Sequence, residues 1–461
     1  MKAFIVPHPP IMVPEIGRSH LKEIEKTVTA MKELGTMMKD EKPQSVIAIS
    51  PHSPAFGDAF AVKTIPHLKG SFMQFGEPGV AFEWETDMDL ASAILEASKA
   101  AGVSTVSLDE DLAERFGVDA SIDHGVLAPM YYVFAGYQCP VVSLSISGLP
   151  LVDHFAFGMT IKKAIDKTQK KVVFVASGDL SHRLTKEGPA GYNPKGKEFD
   201  SQVVELFKKG DLAGLMKIDK ELIEDAGECG LRSYVVMAGL MDGVKVEAEV
   251  LSYEGPFGVG YPVGIMTGTK EAPGKWEGIV KDIEDERKKR IEEECLPVQI
   301  ARQAVESFVG ESRPPSMPED LPDYLKKKAG VFVSLKRGNV LRGCIGTIEP
   351  AQETIAEEIA RNAISAATQD MRFEPVSAEE LADMSYSVDI LSGSEPVSDT
   401  ECLDPRQYGV IVESGGRKGL LLPDLEGVDT TDDQLAIAKR KAGIKEDKHC
   451  RISRFTVTRY R

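Results

Sequence analysis

Three stretches of the chain are apolar without a break: Ala3-Phe4-Ile5-Val6, Val46-Ile47-Ala48-Ile49 and Val172-Val173-Phe174-Val175. Continuous runs of this length suit strands covered on both faces, as in a parallel sheet flanked by helices. Between them the apolar period changes to that of a helix. Leu21, Ile24, Val28, Met31 and Leu34 share one face of a helix opened by Ser19. Asp87 to Ala101 reads as a second helix, and Ser121-Ile122-Asp123 can cap a third running through Met130, Tyr132 and Phe134. Strands are expected at Val103–Ser107 and Val141–Ser145. Val246–Leu251 alternates apolar with charged residues, as a half-exposed strand would. Pro54, Gly57, Pro66, Gly70, Gly76, Pro78 and Gly79 mark a loop-rich stretch. Strands alternating with helices predict an α/β domain with a helix-flanked, mostly parallel sheet.

The pattern changes near Ala272-Pro273-Gly274-Lys275. Ile283–Cys295 is dense in charge, Ile300–Val309 is a regular amphipathic helix, and Glu311–Pro322 holds four prolines and reads as a loop. Short strands follow at Gly330–Leu335, Ser385–Leu391, Val410–Glu413 and Gly419–Leu422, with helices at Thr354–Thr368 and Asp432–Ala442. This is an α+β pattern with its own apolar periodicity. A boundary near 272–282 therefore divides the chain into domains 1–272 and 283–461. Two cores are also what 461 residues require.

Composition narrows the setting. A formal net charge of −17 argues against a nucleic-acid backbone or an anionic membrane surface as partner. The apolar run at the start is too short for a signal-peptide core, and no stretch reaches the roughly 20 apolar residues of a membrane helix. Six scattered cysteines without a CxxC pair speak against a disulfide framework or a zinc ribbon. A cytoplasmic protein is expected; its oligomeric state stays open.

Each of the three apolar runs leads to a histidine: His8, His52 and His182. In open α/β sheets ligands bind beyond the carboxyl ends of the strands, where these imidazoles would emerge. One such histidine is more often a hydrogen-bonded core or loop residue than a ligand. Three of the chain's eight in the same role read as a metal or acid–base site. A non-haem Fe(II) site of the facial type takes two neutral imidazoles and one carboxylate. His8 and His52 can supply the imidazoles, and Glu254, which ends a predicted strand before a glycine-rich loop, is the best carboxylate. Asp123 can orient its neighbour His124. His20, His67, His154 and His449 lack this context and read as solvated or structural.

Pro7-His8-Pro9-Pro10, Ser50-Pro51-His52-Ser53-Pro54, Asp123-His124-Gly125 and Ser177-Gly178-Asp179-Leu180-Ser181-His182, in that order over roughly residues 1–270, resemble the motifs of class III extradiol dioxygenases and their Memo relatives. The resemblance implies that His8, His52 and Glu254 hold Fe(II), that His182 is the catalytic acid–base histidine and that His124 is an active-site histidine. Glu228-Cys229-Gly230 is similar to a cysteine-glycine element of the same superfamily. Memo-type members place a cysteine near the site, and Glu254 favours the dioxygenase-like version.

In the second half, Leu341-Arg342-Gly343-Cys344-Ile345-Gly346-Thr347 follows a strand through a turn expected at Arg337-Gly338-Asn339. Glycines flanking Cys344 let a ligand approach the backbone, and Arg342 can hold down a thiolate's pKa, so Cys344 is a candidate nucleophile. A packed strand cysteine is at least as good a reading. With Arg372-Phe373-Glu374-Pro375-Val376 and Leu391-Ser392-Gly393-Ser394-Glu395-Pro396, the segment resembles the AMMECR family over about 285–461. The two resemblances together imply the AmmeMemoRadiSam system and a radical S-adenosylmethionine protein as partner. Three functions stand at this point. They are an Fe(II)-dependent extradiol-type dioxygenase acting on a small aromatic diol or related chelating substrate, an O₂-independent metalloenzyme with the same site, and a non-catalytic metal-binding scaffold.

Overall fold

The computed structural model describes the chain apart from Glu319, residues 338–339, Glu426, residues 446–448 and the side chain of Glu401. The expected turn at Arg337-Gly338-Asn339 thus lies outside the described residues. The chain divides into two compact units, Met1–Glu284 and Asp285–Arg461. The division falls within one helix, Trp276–Glu293, whose charged second half had marked the start of the second domain in the sequence.

The strands of the first unit, in chain order, are β1 (Lys2–Val6), β2 (Ser45–Ser50), β3 (Phe60–Lys63), β4 (His67–Phe72), β5 (Glu77–Glu85), β6 (Thr105–Leu108), β7 (Val141–Ser145), β8 (Val172–Ser177), β9 (Val244–Glu254) and β10 (Tyr261–Glu271). Eight of them form one sheet in the order β6-β3-β7-β2-β8-β1-β10-β9. Its centre, β7-β2-β8-β1, is parallel; β10 pairs antiparallel with β1 and with β9. The apolar runs are continuous because both faces of these central strands are covered. Ile5, Ile47, Ile49, Phe174 and Ala176 pack with the helices Met88–Ala100, Leu151–Thr168 and Leu231–Leu240. Phe4, Val6, Val46, Ala48, Val173 and Val175 pack on the other face with Glu25–Glu41 and His124–Val133. Fully burying one such aliphatic or aromatic side chain is worth about 1.5–3 kcal/mol, so this central strip fixes the register of the sheet.

Two local expectations are corrected. The helix assigned to Ser19 starts at Glu25, after a short 3₁₀ segment Arg18–Lys22, though Ile24, Met31 and Leu34 are buried as the periodicity requires. The loop-rich stretch contains β3 and a two-stranded hairpin, β4-β5. Gly70 belongs in that hairpin because a Cβ there would lie 2.6 Å from the Ile122 carbonyl oxygen; it marks a close approach of two backbones, not a break.

The second unit contains β11 (Val331–Arg337), β12 (Val340–Gly346), β13 (Met384–Leu391), β14 (Glu395–Val397), β15 (Gly409–Ser414), β16 (Arg417–Leu421), β17 (Arg451–Phe455) and β18 (Val457–Tyr460). They form two four-stranded sheets, β12-β11-β13-β18 and β14-β17-β15-β16, antiparallel throughout the described pairs. Val331, Val333, Leu335, Tyr386 and Val388 of the first sheet share a core with the helices Leu296–Val305 and Ile355–Thr368. No helix among the described residues is long and apolar enough to cross a membrane.

Candidate metal centre

The loops after β1, β2 and β8 carry His8, His52 and His182, and these three strands are neighbours in the sheet. Their carboxyl ends therefore open onto one place, with His124 added by the first residue of the helix His124–Val133. One nitrogen each of His8, His52 and His124 lies within 4.8 Å of the others. His8 is buried, His124 half-buried and His52 exposed, so the centre opens to solvent past His52.

The hydrogen bonds assign the lone pairs. The Ser177 hydroxyl donates its single proton to the Gly125 carbonyl oxygen, so it can only accept from His8 Nδ1, 3.0 Å away. His8 Nε2 is then a bare lone pair, and it faces His52 Nε2 at 3.0 Å. Two imidazole nitrogens at that distance need a proton or a cation between them. Likewise His182 Nδ1, 2.7 Å from the Gly227 carbonyl oxygen, must donate, which leaves its Nε2 free to accept a proton. His8 is further fixed through its backbone N–H, which donates to Asp179 Oδ1 at 2.9 Å.

Burial is the main cause of every shift at this centre. It holds His8 well below its ordinary value of 6.5, with His52, His124 and His182 adding to the effect; it lowers His52 and His182, and takes His124 down to about 4. Burial also lifts Asp179, Asp200 and Glu228 to about 7, and the Cys229 thiol well above its ordinary value. Neutral imidazoles beside acids that resist ionising are what a site built for a cation presents before the cation's charge is counted.

These directions fix a pH dependence. Imidazoles bind metal in their neutral form, so the depressed values should move the acid-side loss of divalent-metal affinity to lower pH than solvated imidazoles would show. Solvated imidazoles would begin to lose affinity below about 6.5. Competitive metal titration through that pH tests the point, and a decline setting in at pH 6.5 would contradict it. For folding, histidines held below 6.5 give stability that is full above that pH and lost as pH falls toward the folded values. The acids lifted to about 7 act in the opposite sense, stabilising the fold as pH falls from about 7 toward about 4.

Glu254 does not join the histidines. Its Oε1 accepts from Thr27 N and Thr27 Oγ1, both at 2.7 Å, and so caps the first turn of the helix Glu25–Glu41. The reason is topological. β9 runs on past the level where β1 ends, β10 lies between them, and two strand spacings of about 4.8 Å separate Glu254 from the loop of His8, the nearest of the histidine loops. What lies beside His8 Nε2 is Cys229 Sγ at 3.6 Å and Asp179 Oδ2 at 3.7 Å. His124, given an active-site role by the resemblance, lies in one group with His8 and His52. Asp179, Ser177, Ser50 and Ser53 support it. The serines carried a signal in the sequence, since Ser50 and Ser177 are polar residues ending otherwise apolar buried strands.

Cys344 lies on β12, where its sulfur takes a hydrogen bond from Ser334 Oγ at 3.2 Å. Its backbone N–H donates to Asp370 Oδ2, and its carbonyl accepts from Arg372. Arg342, expected to act on the thiol, spends its guanidinium on both oxygens of Glu380 and on the carbonyls of Glu374 and Pro375.

Residues 2–264 match the family described as the catalytic LigB subunit of aromatic ring-opening dioxygenase, and residues 298–461 match AMMECR1. Protein CA_C1420 of Clostridium acetobutylicum is 39% identical over 467 residues, covering 99% of this chain and 98% of the relative. A Thermotoga maritima protein is 53% identical over 167 residues, 36% of this chain and 96% of its own. Among solved structures, uncharacterized protein JW3007 of Escherichia coli K12 aligns at 19% identity with a TM-score of 0.41, covering 58% of this chain and 100% of that one. Uncharacterized protein PH0010 of Pyrococcus horikoshii aligns at 32% identity and a TM-score of 0.34, covering 35% of this chain and 88% of that one. With more than half of its length matched by the one family and its remaining unit by the other, the chain belongs to the LigB, class III extradiol dioxygenase-like family and carries a fused AMMECR1 domain.

Proposed function

We propose that the first unit is an Fe(II)-dependent oxidoreductase of extradiol type acting on a small aromatic diol or a related chelating substrate. The observation that carries this reading is the bare Nε2 of His8 facing His52 Nε2 at 3.0 Å, with His124 completing a three-imidazole group. His8, His52 and His124 would hold the metal. When bound, Fe(II) supplies the electron exchange that lets a chelating diol react with O₂.

The remaining groups belong to the protein. His182 is neutral at pH 7 and holds its free Nε2 outward from a ring anchored on Gly227, so it is suited to take a hydroxyl proton from the substrate and return it. Phe75, whose ring centroid lies 5.3 Å from that of His124, is partly exposed and offers an aromatic surface beside the open side of the centre. Asp179, held against the His8 backbone, fixes the loop that carries His182.

A second reading rests on Cys229. A thiol beside His8, with Glu254 drawn off to Thr27, favours the Memo-like version of the centre and O₂-independent chemistry. The domain pairing would then supply a radical S-adenosylmethionine protein as partner, which we extend to either reading.

Anaerobically prepared, Fe(II)-loaded protein assayed on a panel of catechols, with and without O₂, separates the two. The first reading predicts O₂-dependent ring cleavage. It also predicts that His182→Gln keeps its iron and loses turnover by the ~10²–10⁴-fold typical of general acid–base catalysis. Full iron occupancy with no O₂-dependent product on any diol would leave the second reading. Loss of iron in His182→Gln would make His182 a ligand.

A further inference from the structure

The first turn of the helix His124–Val133 contributes His124 and is tied through serine hydroxyls to the His52 loop and to His8. Asp123, its N-cap, receives Gly125 N at 2.9 Å and the Ser50 hydroxyl at 2.5 Å on Oδ1, and the Ser53 hydroxyl at 2.6 Å on Oδ2. Ser50 and Ser53 bracket His52, and the His52 N–H donates to Ser50 Oγ at 3.1 Å. The donors line up in one direction: His52 N–H to Ser50, Ser50 O–H to Asp123. Two residues along, the Gly125 carbonyl takes the Ser177 hydroxyl that in turn orients His8. Residue 125 must be glycine, because a Cβ there would meet the Ser50 hydroxyl and Asp123 Oδ1. Both serines and Ser177 are buried, so these hydroxyls do not exchange their partners for water at low cost. Lys63, 1% exposed on β3, donates to the Ser121 carbonyl at 2.6 Å and brings a cation toward Asp123 from behind.

We propose that Asp123 is the positioning residue of the metal centre. It ties the His52 loop to the helix that begins with His124, so that the two imidazoles and His8 converge without Asp123 itself touching the metal. The inference rests on the metal reading above but concerns a separate question, whether the convergence is built by this carboxylate or by the strands alone. If the strands sufficed, neither the capped turn nor the two buried serines would matter to metal binding.

Co(II) serves as the probe, since its visible absorption reports ligand geometry as well as occupancy. The full-length chain is titrated as wild type, Asp123→Ala, Asp123→Asn and Ser50→Ala/Ser53→Ala. Losing an outer-shell partner costs about 10–100-fold in metal affinity, and that loss is expected for Asp123→Ala together with an altered spectrum. Asp123→Asn, which keeps the oxygen for Ser50 and Gly125, should recover most of the affinity and the wild-type band. The serine double variant retains the helix cap and should resemble Asp123→Ala, so it decides the question even if Asp123→Ala does not fold. Wild-type affinity and spectrum in the serine variant, or in a folded Asp123→Ala, would overturn the proposal while leaving the metal centre intact. No Co(II) binding by the wild type would overturn the metal reading itself, and the positioning role with it.

Discussion

Replacing His8 with Ala should remove bound metal from the protein and leave it folded. His8 is a ring whose tautomer is dictated by a buried hydroxyl with its proton already committed, and its bare nitrogen faces His52 Nε2. Without it, His52 Nε2 loses the nitrogen 3.0 Å away and the site falls to two imidazoles at most. The affinity loss should therefore exceed the about 10–100-fold typical of outer-shell changes. The fold should survive because the contacts that anchor this segment remain: the backbone N–H of residue 8 still reaches Asp179, and Ser177 still donates to Gly125. Metal content by elemental analysis and a cooperative thermal transition check the two halves of this expectation. A folded His8→Ala protein with full metal content would place the metal elsewhere.

Replacing Glu254 with Ala should do the reverse. Thr27 is fully buried, and both its N–H and its hydroxyl donate to the same carboxylate oxygen. Removing the carboxylate strands buried donors at a helix N-terminus. The expected loss of stability is on the order of 1–3 kcal/mol, the usual cost of leaving a buried polar group unpaired. Metal stoichiometry should be unchanged. Glu254→Gln keeps an acceptor and should lose less. Denaturant unfolding and metal analysis on the same samples separate the outcomes: a stable variant that has lost its metal would return Glu254 to the ligand set.

These two residues also show where the sequence could be read and where it could not. His8 was legible because the strand before it is apolar on both faces, and such a strand in an α/β sheet points its following loop at the ligand side. The same logic located His52 and His182. It did not place Glu254 with them, because ending a strand on the ligand side of the sheet says nothing about how many strands away that end lies. The interposed β10 is a property of the sheet order, set by pairings between residues distant in the chain, such as Lys2 with Thr267. His124 was legible as a helix start through its Asp123 cap, but the hydrogen bonds that join Asp123 to Ser50 and Ser53 around His52 follow from no local pattern. The β4-β5 hairpin was hidden by its glycines and prolines, of which Gly70 serves a close backbone approach and Gly76 a positive-φ turn. In the second unit Cys344 was found from its motif, while the diversion of Arg342 to Glu380 comes from a residue 38 positions away.

The central claim is that His8, His52 and His124 form one metal-binding centre. It is tested most directly by an anomalous-difference map collected at the iron edge from anaerobically grown, Fe(II)-loaded crystals. A single strong peak per chain is expected within coordination distance of His8 Nε2 and His52 Nε2, on the side facing His124. A map with no peak there, or with its peak at Glu254 or in the second unit, would contradict it.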